Sequence, residues 1–363
     1  MVARAWSLVR GRAPPARSRA GMLVRMSLPY VDRVILGCWQ LARGHGRDVE
    51  NALDVLEAHY AAGFRVFDCA DIYTGVEAAI GAFARAHALG PDDLRVHTKY
   101  VPDLADLATL RPSDVERAVD RSRERLGRET LDLVQLHWWD DAVPGRLEVL
   151  ATLRSLHERG TVRAIGLTNV DERRLREVLA AGIPIASVQA QYSLLDRRPA
   201  DDLAAITATN GIDLLCYGSV AGGLLSDRYL AGSDVGDVHE NRSLTKYRLI
   251  VEEAGGWDVL QALLAALREV ADEVGADVAQ VASAWCLRQR GVRACIVGIR
   301  STRHVGALAA LRDRVVLSDD QVARLEAVRS RFPEVPGPVY GLERDRDGRH
   351  GRIMKYGLNE ATA

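Results

Sequence analysis

The chain has almost no lysine. Of its 48 basic residues only Lys99, Lys246 and Lys355 are lysine; the rest are arginine. A guanidinium is always charged, whereas an ammonium is a compact point charge whose pKa answers to its surroundings. A position that keeps lysine against such a bias is therefore a candidate for chemistry. Lys246 and Lys355 sit in no local pattern that gives them a role. Lys99 does, because it closes the run Leu94-Arg-Val-His-Thr-Lys99, a short strand ending in a charge.

An excess of either charge is missing too. The 363 residues carry a formal net charge of -1, which argues against nucleic acid or a membrane surface as the main partner. No apolar run approaches the roughly 18 residues of a bilayer-spanning helix. The five cysteines (Cys38, Cys69, Cys216, Cys286 and Cys295) are odd in number and form no C-x-x-C pair. That excludes a disulfide frame or a zinc site and fits a reducing, cytoplasmic compartment. The fragment Asp345-Arg-Asp347-Gly348 lacks the later ligands of a calcium loop, so no metal is expected.

Acids are absent from residues 1–31, which hold six arginines. This stretch reads as a leader or disordered extension. It has the character of an organelle transit peptide; the alternatives are a disordered tail or a true start at Met22 or Met26. Residues 32–332 form one domain, and residues 333–363, rich in proline, glycine and charge, an extended tail.

Between these ends, β-branched runs alternate with amphipathic stretches. Strands are expected at Val34–Gly37, Arg65–Asp68, Arg95–Lys99, Leu131–His137, Ala164–Leu167, Ala186–Gln189, Asp213–Tyr217 and Ala294–Val297. Helices are expected between them, among them Ser113–Leu126, where Ser113 and Glu116 have the form of a capping box. Gly63, Gly127, Gly160, Gly182 and Gly211 stand where helices should end. Eight such repeats close most simply as a (β/α)8 TIM barrel. A doubly wound open sheet is the alternative, but no G-x-G-x-x-G follows an early strand. A long insertion, residues 221–256, follows the seventh strand and reads as a functional loop.

The C-terminal ends of barrel strands face the active site. Read in order, those ends present Asp68 with Tyr73 five residues on, then Lys99, then His137. An acid, a phenol, an ammonium and an imidazole brought together in this way make a site for proton transfer.

Gly63-Phe-Arg-Val-Phe-Asp68-Cys-Ala-Asp-Ile-Tyr73, Thr98-Lys99 and Gln135-Leu-His137 resemble the aldo-keto reductases. So do Gly166-Leu-Thr168-Asn169, Gln189-Ala-Gln-Tyr192 and Tyr217-Gly-Ser-Val-Ala-Gly-Gly-Leu224. The resemblance covers about residues 33–330, and His137-Trp-Trp-Asp140 suggests a less characterised branch. It implies an oxidoreductase that moves hydride between NAD(P)H and a small-molecule aldehyde, ketone or alcohol. Tyr73 would be the proton donor, Lys99 the cation that acidifies it, Asp68 the partner of Lys99, and His137 the group that orients the carbonyl. A cation ~4 Å away at an effective dielectric of ~20 is worth up to about 4 kcal/mol, roughly three pKa units, toward the phenolate. Burial opposes it.

The same resemblance implies a place for the cofactor, NADPH with NADH as the other possibility. Thr168, Asn169 and Gln189 would bind the carboxamide, and Tyr217 would stack on the ring. Gly218, Ser219, Gly223 and Leu224 would run beside the pyrophosphate. Gly37, Cys38 and Trp39 would line the nicotinamide side, with Trp39, Trp138 and Trp139 as aromatic walls and Trp39 and Trp138 facing substrate. Arg300, Arg303 and His304 would clasp a 2′-phosphate, while Ala307 and Leu308 replace the family's usual acid–Asn pair at adenine. Two other classes stay open: a Schiff-base lyase with Lys99 as nucleophile, and a nicotinamide-binding regulatory subunit without turnover.

Overall fold

A computed structural model of the chain describes residue 28 and residues 31–43, 50–234 and 242–359. Eight parallel strands follow one another: β1 (Val34–Gly37), β2 (Val66–Asp68), β3 (Arg95–Tyr100), β4 (Leu133–His137), β5 (Ile165–Thr168), β6 (Ile185–Gln191), β7 (Asp213–Tyr217) and β8 (Val292–Gly298). β8 returns to β1 in a register that runs from Val34 opposite Cys295 to Gly37 opposite Gly298. Because β1 also pairs with β2, the sheet has no edge. It is the closed (β/α)8 barrel, and the open doubly wound sheet is excluded.

Helices follow the strands and cover the barrel. The helix Pro112–Leu126 shows why these residues form it. Proline at the first position has no N–H to leave unpaired, and Gly127 ends the helix in the left-handed region at φ 65°. The expected Ser113–Glu116 box does not form. The cap lies two residues earlier, where the Asp114 carboxylate accepts the Arg111 N–H at 2.8 Å, because Pro112 already occupies the first helical turn. Between helices and barrel lies the main apolar core, including Leu56, Ile80, Val115 and Leu150. No helix among the described residues is long and apolar enough to cross a membrane.

Strand alternation sets what lies inside the barrel. Ile35, Val66, Leu133, Leu215 and Ile296 join one buried cluster at the floor. Side chains two residues further along a strand return to the same face. From Ile35, Val66, Leu215 and Ile296 that step reaches Gly37, Asp68, Tyr217 and Gly298; from Leu133 it reaches Gln135 and then His137. The apolar floor thus fixes which residues emerge at the mouth. The leader expected at residues 1–31 falls almost wholly outside the described residues, but Leu28 and Val31 pack into this floor. The Leu28 N–H donates to Asp213 at 2.9 Å.

Two expectations are corrected at the mouth. The insertion at 221–256 is not only loop, since Arg242–Glu253 is a helix. Nor is the segment after 333 an extended tail. It carries the short helices Gly341–Arg344 and Arg349–Arg352 and buries Tyr340, Glu343 and His350. Charge pairing explains the difference: Glu343 accepts from Arg198 at 3.2 Å and lies 3.5 Å from Lys246 of the insertion helix. Local composition carries no sign of partners so distant in the chain.

Candidate active site

At the barrel mouth Lys99 donates to the Asp68 carboxylate and, at 2.8 Å, to the Cys69 carbonyl oxygen. The second Asp68 oxygen accepts from Gln189 at 2.8 Å and from Gln135 at 3.2 Å. Gln189 also donates to the Gln135 side-chain oxygen at 3.1 Å. This polar layer needs Gly166, because a Cβ there would lie 2.6 Å from Ser187 Oγ and 2.9 Å from Gln135 Cγ. Above the layer, the Lys99 ammonium is 5.2 Å from the centroid of the Tyr73 ring, and Tyr73 packs on Trp39 at 4.6 Å between centroids.

His137 closes the other side. Its ring meets Trp139 edge-on at 4.2 Å and Tyr340 at 5.4 Å, and its Nε2 is buried without a hydrogen-bond partner. Asn169 Nδ2 lies 3.5 Å from His137 Nδ1. The Tyr217 hydroxyl donates to Asn169 Oδ1 at 2.8 Å. Asn169 holds a positive φ of 59°, a conformation asparagine adopts more readily than most residues.

The electrostatics differ in one respect from the sequence expectation. Burial pulls the Lys99 ammonium down, but Asp68 more than restores it, and the amine stays charged, above its ordinary range. For Tyr73, enclosure raises the phenol and Lys99 lowers it, with Asp68 adding to the rise; the net shift is upward from 10.0. Lys99 therefore offsets only part of the cost of enclosure, because burial outweighs its charge and Asp68 adds to the rise. His137 is pushed down to about 3 by burial first, then by the Arg344, Lys246 and Lys99 cations. Its imidazole is neutral.

A cavity of about 700 Å³ runs from these residues to the segment after β8. Its lining includes Gly37, Trp39, Asp68, Tyr73, Lys99 and His137, then Thr168, Asn169, Gln189, Tyr217, Gly218 and Gly223, and at the far end Arg300 and His304. Five expected residues turn elsewhere. Cys38 is buried, its thiol donating to the Leu36 carbonyl at 3.6 Å. Ser219 hydrogen-bonds Ser283 Oγ at 2.9 Å, Leu224 is fully buried, and the Trp138 indole donates to Val143 at 3.1 Å. Trp139, the other expected aromatic wall of this pair, does line the cavity. Arg303 does not line the cavity; its guanidinium lies 3.5 Å from Ser301 Oγ. Sequence reasoning missed Lys246, Tyr247 and Tyr340, which roof the cavity. Only the scarcity of lysine pointed to the first.

The cavity suits a dinucleotide. It is long, it lies at the strand ends, and an unpartnered buried imidazole nitrogen stands toward each end, His137 Nε2 and His59 Nε2.

Residues 33–330 match the profile of the Aldo/keto reductase family, and the chain belongs to that family as an NAD(P)H-dependent oxidoreductase. It is 32% identical over 254 residues to the flagellar radial spoke protein 5 of Chlamydomonas reinhardtii, spanning about half of that protein (48%) and using 60% of its own length. An uncharacterized oxidoreductase of Mycobacterium tuberculosis is 29% identical over 317 residues, covering 85% of this chain and 92% of the relative. Among solved structures, the glycerol dehydrogenase of Gluconobacter oxydans superposes with a TM-score of 0.68 at 25% identity, over 86% of this chain and 96% of its own.

Proposed function

We propose that the protein reduces an aldehyde or ketone with NADPH, Tyr73 giving the proton. The carrying observation is the pair Lys99–Asp68 beneath the Tyr73 ring, with the unpartnered Nε2 of a neutral His137 beside the same cavity. A bound reduced nicotinamide would supply the hydride. As the carbonyl carbon is reduced, its oxygen becomes an alkoxide, a stronger base than a phenolate. The Tyr73 phenol passes its proton to that oxygen, and the Lys99 ammonium stabilises the phenolate left behind. Asp68 and its two glutamine donors hold Lys99 in place and charged. The neutral His137 offers a hydrogen bond to the carbonyl oxygen.

A phenol that keeps its proton at neutral pH is in the form that carbonyl reduction needs, and the Lys99 ammonium lowers the cost of giving that proton up. Arg300 and His304 in the cavity favour a cofactor with a 2′-phosphate. The lyase reading loses ground because a Schiff base needs a neutral amine, and Lys99 is charged and bound to Asp68 and the Cys69 carbonyl.

The test is a cofactor and carbonyl panel on the purified protein beside Tyr73→Phe. The variant is expected to bind NADPH, read by fluorescence, and to lose about 10²- to 10⁴-fold in kcat. Unchanged turnover would remove Tyr73 as the donor. NADPH binding without oxidation by any carbonyl would leave only a binding role.

A further inference from the structure

Every lysine of the chain lines the same cavity: Lys99 at its base, Lys246 in its roof and Lys355 at its exposed rim. Lys99 is spent on Asp68. Lys246 is not spent in the same way. Its ammonium lies 3.5 Å from both the Tyr217 hydroxyl and Glu343 Oε1, long contacts for a group with three donors. Glu343 is shared, since Arg198 also donates to it at 3.2 and 3.4 Å. The rings of Tyr217, Tyr340 and Tyr247 surround the ammonium at 5.1, 5.5 and 5.6 Å from their centroids. These contacts hold a cation in place, and no polar partner of the ammonium among the described residues lies closer than 3.5 Å.

We propose that Lys246 receives the anionic group of the substrate, so that the site takes aldehydes or ketones carrying a carboxylate or a phosphate. The inference rests on the carbonyl-reductase reading of the same cavity. Tyr340 sets the span: its ring stands 5.4 Å from that of His137 and 5.5 Å from the Lys246 ammonium. A molecule with its carbonyl at Tyr73 and His137 reaches Lys246 across this ring with a charged group several atoms away. The local field agrees, because the side chains that depress His137 are all cations, Arg344, Lys246 and Lys99. Arg344 is itself occupied by the carbonyl oxygens of Asn169 at 2.7 Å and Trp138 at 3.2 Å. The acids lining the cavity are Asp68, bound to Lys99, and Asp227 and Asp277, which accept the backbone N–H groups of Val278 and Gln280.

The experiment compares kcat/KM with NADPH for 4-carboxybenzaldehyde against benzaldehyde, and for glyceraldehyde 3-phosphate against glyceraldehyde. The full-length protein is expected to favour the charged member of at least one pair by tenfold or more, and the pair that responds identifies carboxylate or phosphate. Lys246→Met is expected to bring that ratio close to one, largely through KM, and Lys246→Arg to retain most of it, with thermal melting confirming that both variants fold. Ratios near one in the unmodified protein overturn the proposal without any variant. So does a preference that survives Lys246→Met. If none of the four aldehydes oxidises NADPH, the reductase reading itself fails.

Discussion

Gln189 and Asp68 lie 121 residues apart in the chain and meet at the barrel mouth, the amide donating at 2.8 Å to the carboxylate. With Gln135 on the same oxygen and Lys99 on the other, both oxygens of a buried acid are occupied. The assembly holds one cation at a fixed place below Tyr73.

Removing that cation strands the acid. Lys99→Met is expected to cost about 3–5 kcal/mol, the usual effect of leaving one partner of a buried pair alone, and to suppress turnover. Adding Asp68→Asn to Lys99→Met should recover most of the stability and none of the activity. Urea unfolding and a turnover assay on the single and double variants check both statements. Equal stability of Lys99→Met and the unmodified protein would show that the pair is not buried as described.

Gly166 leaves no room for a side chain beneath the polar layer. Gly166→Ala places a methyl 2.6 Å from Ser187 Oγ and 2.9 Å from Gln135 Cγ. The unpartnered Ser187 hydroxyl can rotate away, but Gln135 Cγ cannot yield without moving its amide, and overpacking of this kind costs typically about 1–3 kcal/mol. Because Gln135 must shift, the grip on Asp68 loosens, and kcat is expected to fall more than NADPH affinity. A thermal melt with a kinetic assay separates the two effects; a variant with unchanged kcat would mean that Gln135 does not position Asp68.

Three buried histidines, His59, His97 and His137, are held below their ordinary value and make the fold acid-sensitive. Burial lowers His97 from 6.5 to about 4, against the pull of Asp68, and His137 to about 3. A histidine whose folded pKa is depressed stabilises the fold fully above its unfolded pKa, and that contribution is lost as the pH falls toward the folded value. Stability should therefore decline from about pH 6.5 downward, by up to about 1.4 kcal/mol per pH unit for each histidine. Urea midpoints between pH 7 and pH 5 read the slope, and His97→Gln should reduce it. A flat profile would contradict neutral, buried imidazoles.

The barrel and four converging side chains were legible in the sequence because each follows from strand alternation and strand order. Asp68 and His137 end strands whose apolar floor residues already fix their facing, Lys99 shares a face of β3 with His97 two residues earlier, and Tyr73 follows Asp68 closely. Cys38 and Trp138 were misplaced for the converse reason: each sits just past a strand, where the alternation ends and the loop decides. Trp139 lines the cavity and Trp138 does not, because the indole of Trp138 found the Val143 carbonyl instead. The roof was illegible. Lys246, Glu343 and Arg198 are joined only by folding, and no local periodicity announces a charge cluster assembled from three distant segments.

That cluster gives the last prediction. Enclosure raises the Glu343 carboxyl, but Lys246 and Arg198 lower it further, to about 2 from 4.5. Its stabilisation is complete above pH 4.5 and is lost as the pH falls toward 2. At neutral pH, Glu343→Gln keeps the shape and removes the charge, leaving Arg198 with Asp196 at 2.7 Å and Lys246 without its carboxylate. The cost should be about 3 kcal/mol, at the low end for a broken buried pair, because one of the two cations keeps another partner. Since Glu343 ties the segment around Tyr340 to the insertion helix, the loss should appear as local opening. Trypsin is expected to cut after Arg346, Arg352 or Lys355 several-fold faster in the variant, with cleavage in the barrel unchanged. Equal cutting rates would mean that the apolar contacts of Tyr340 and Tyr356 hold the segment down without the charge.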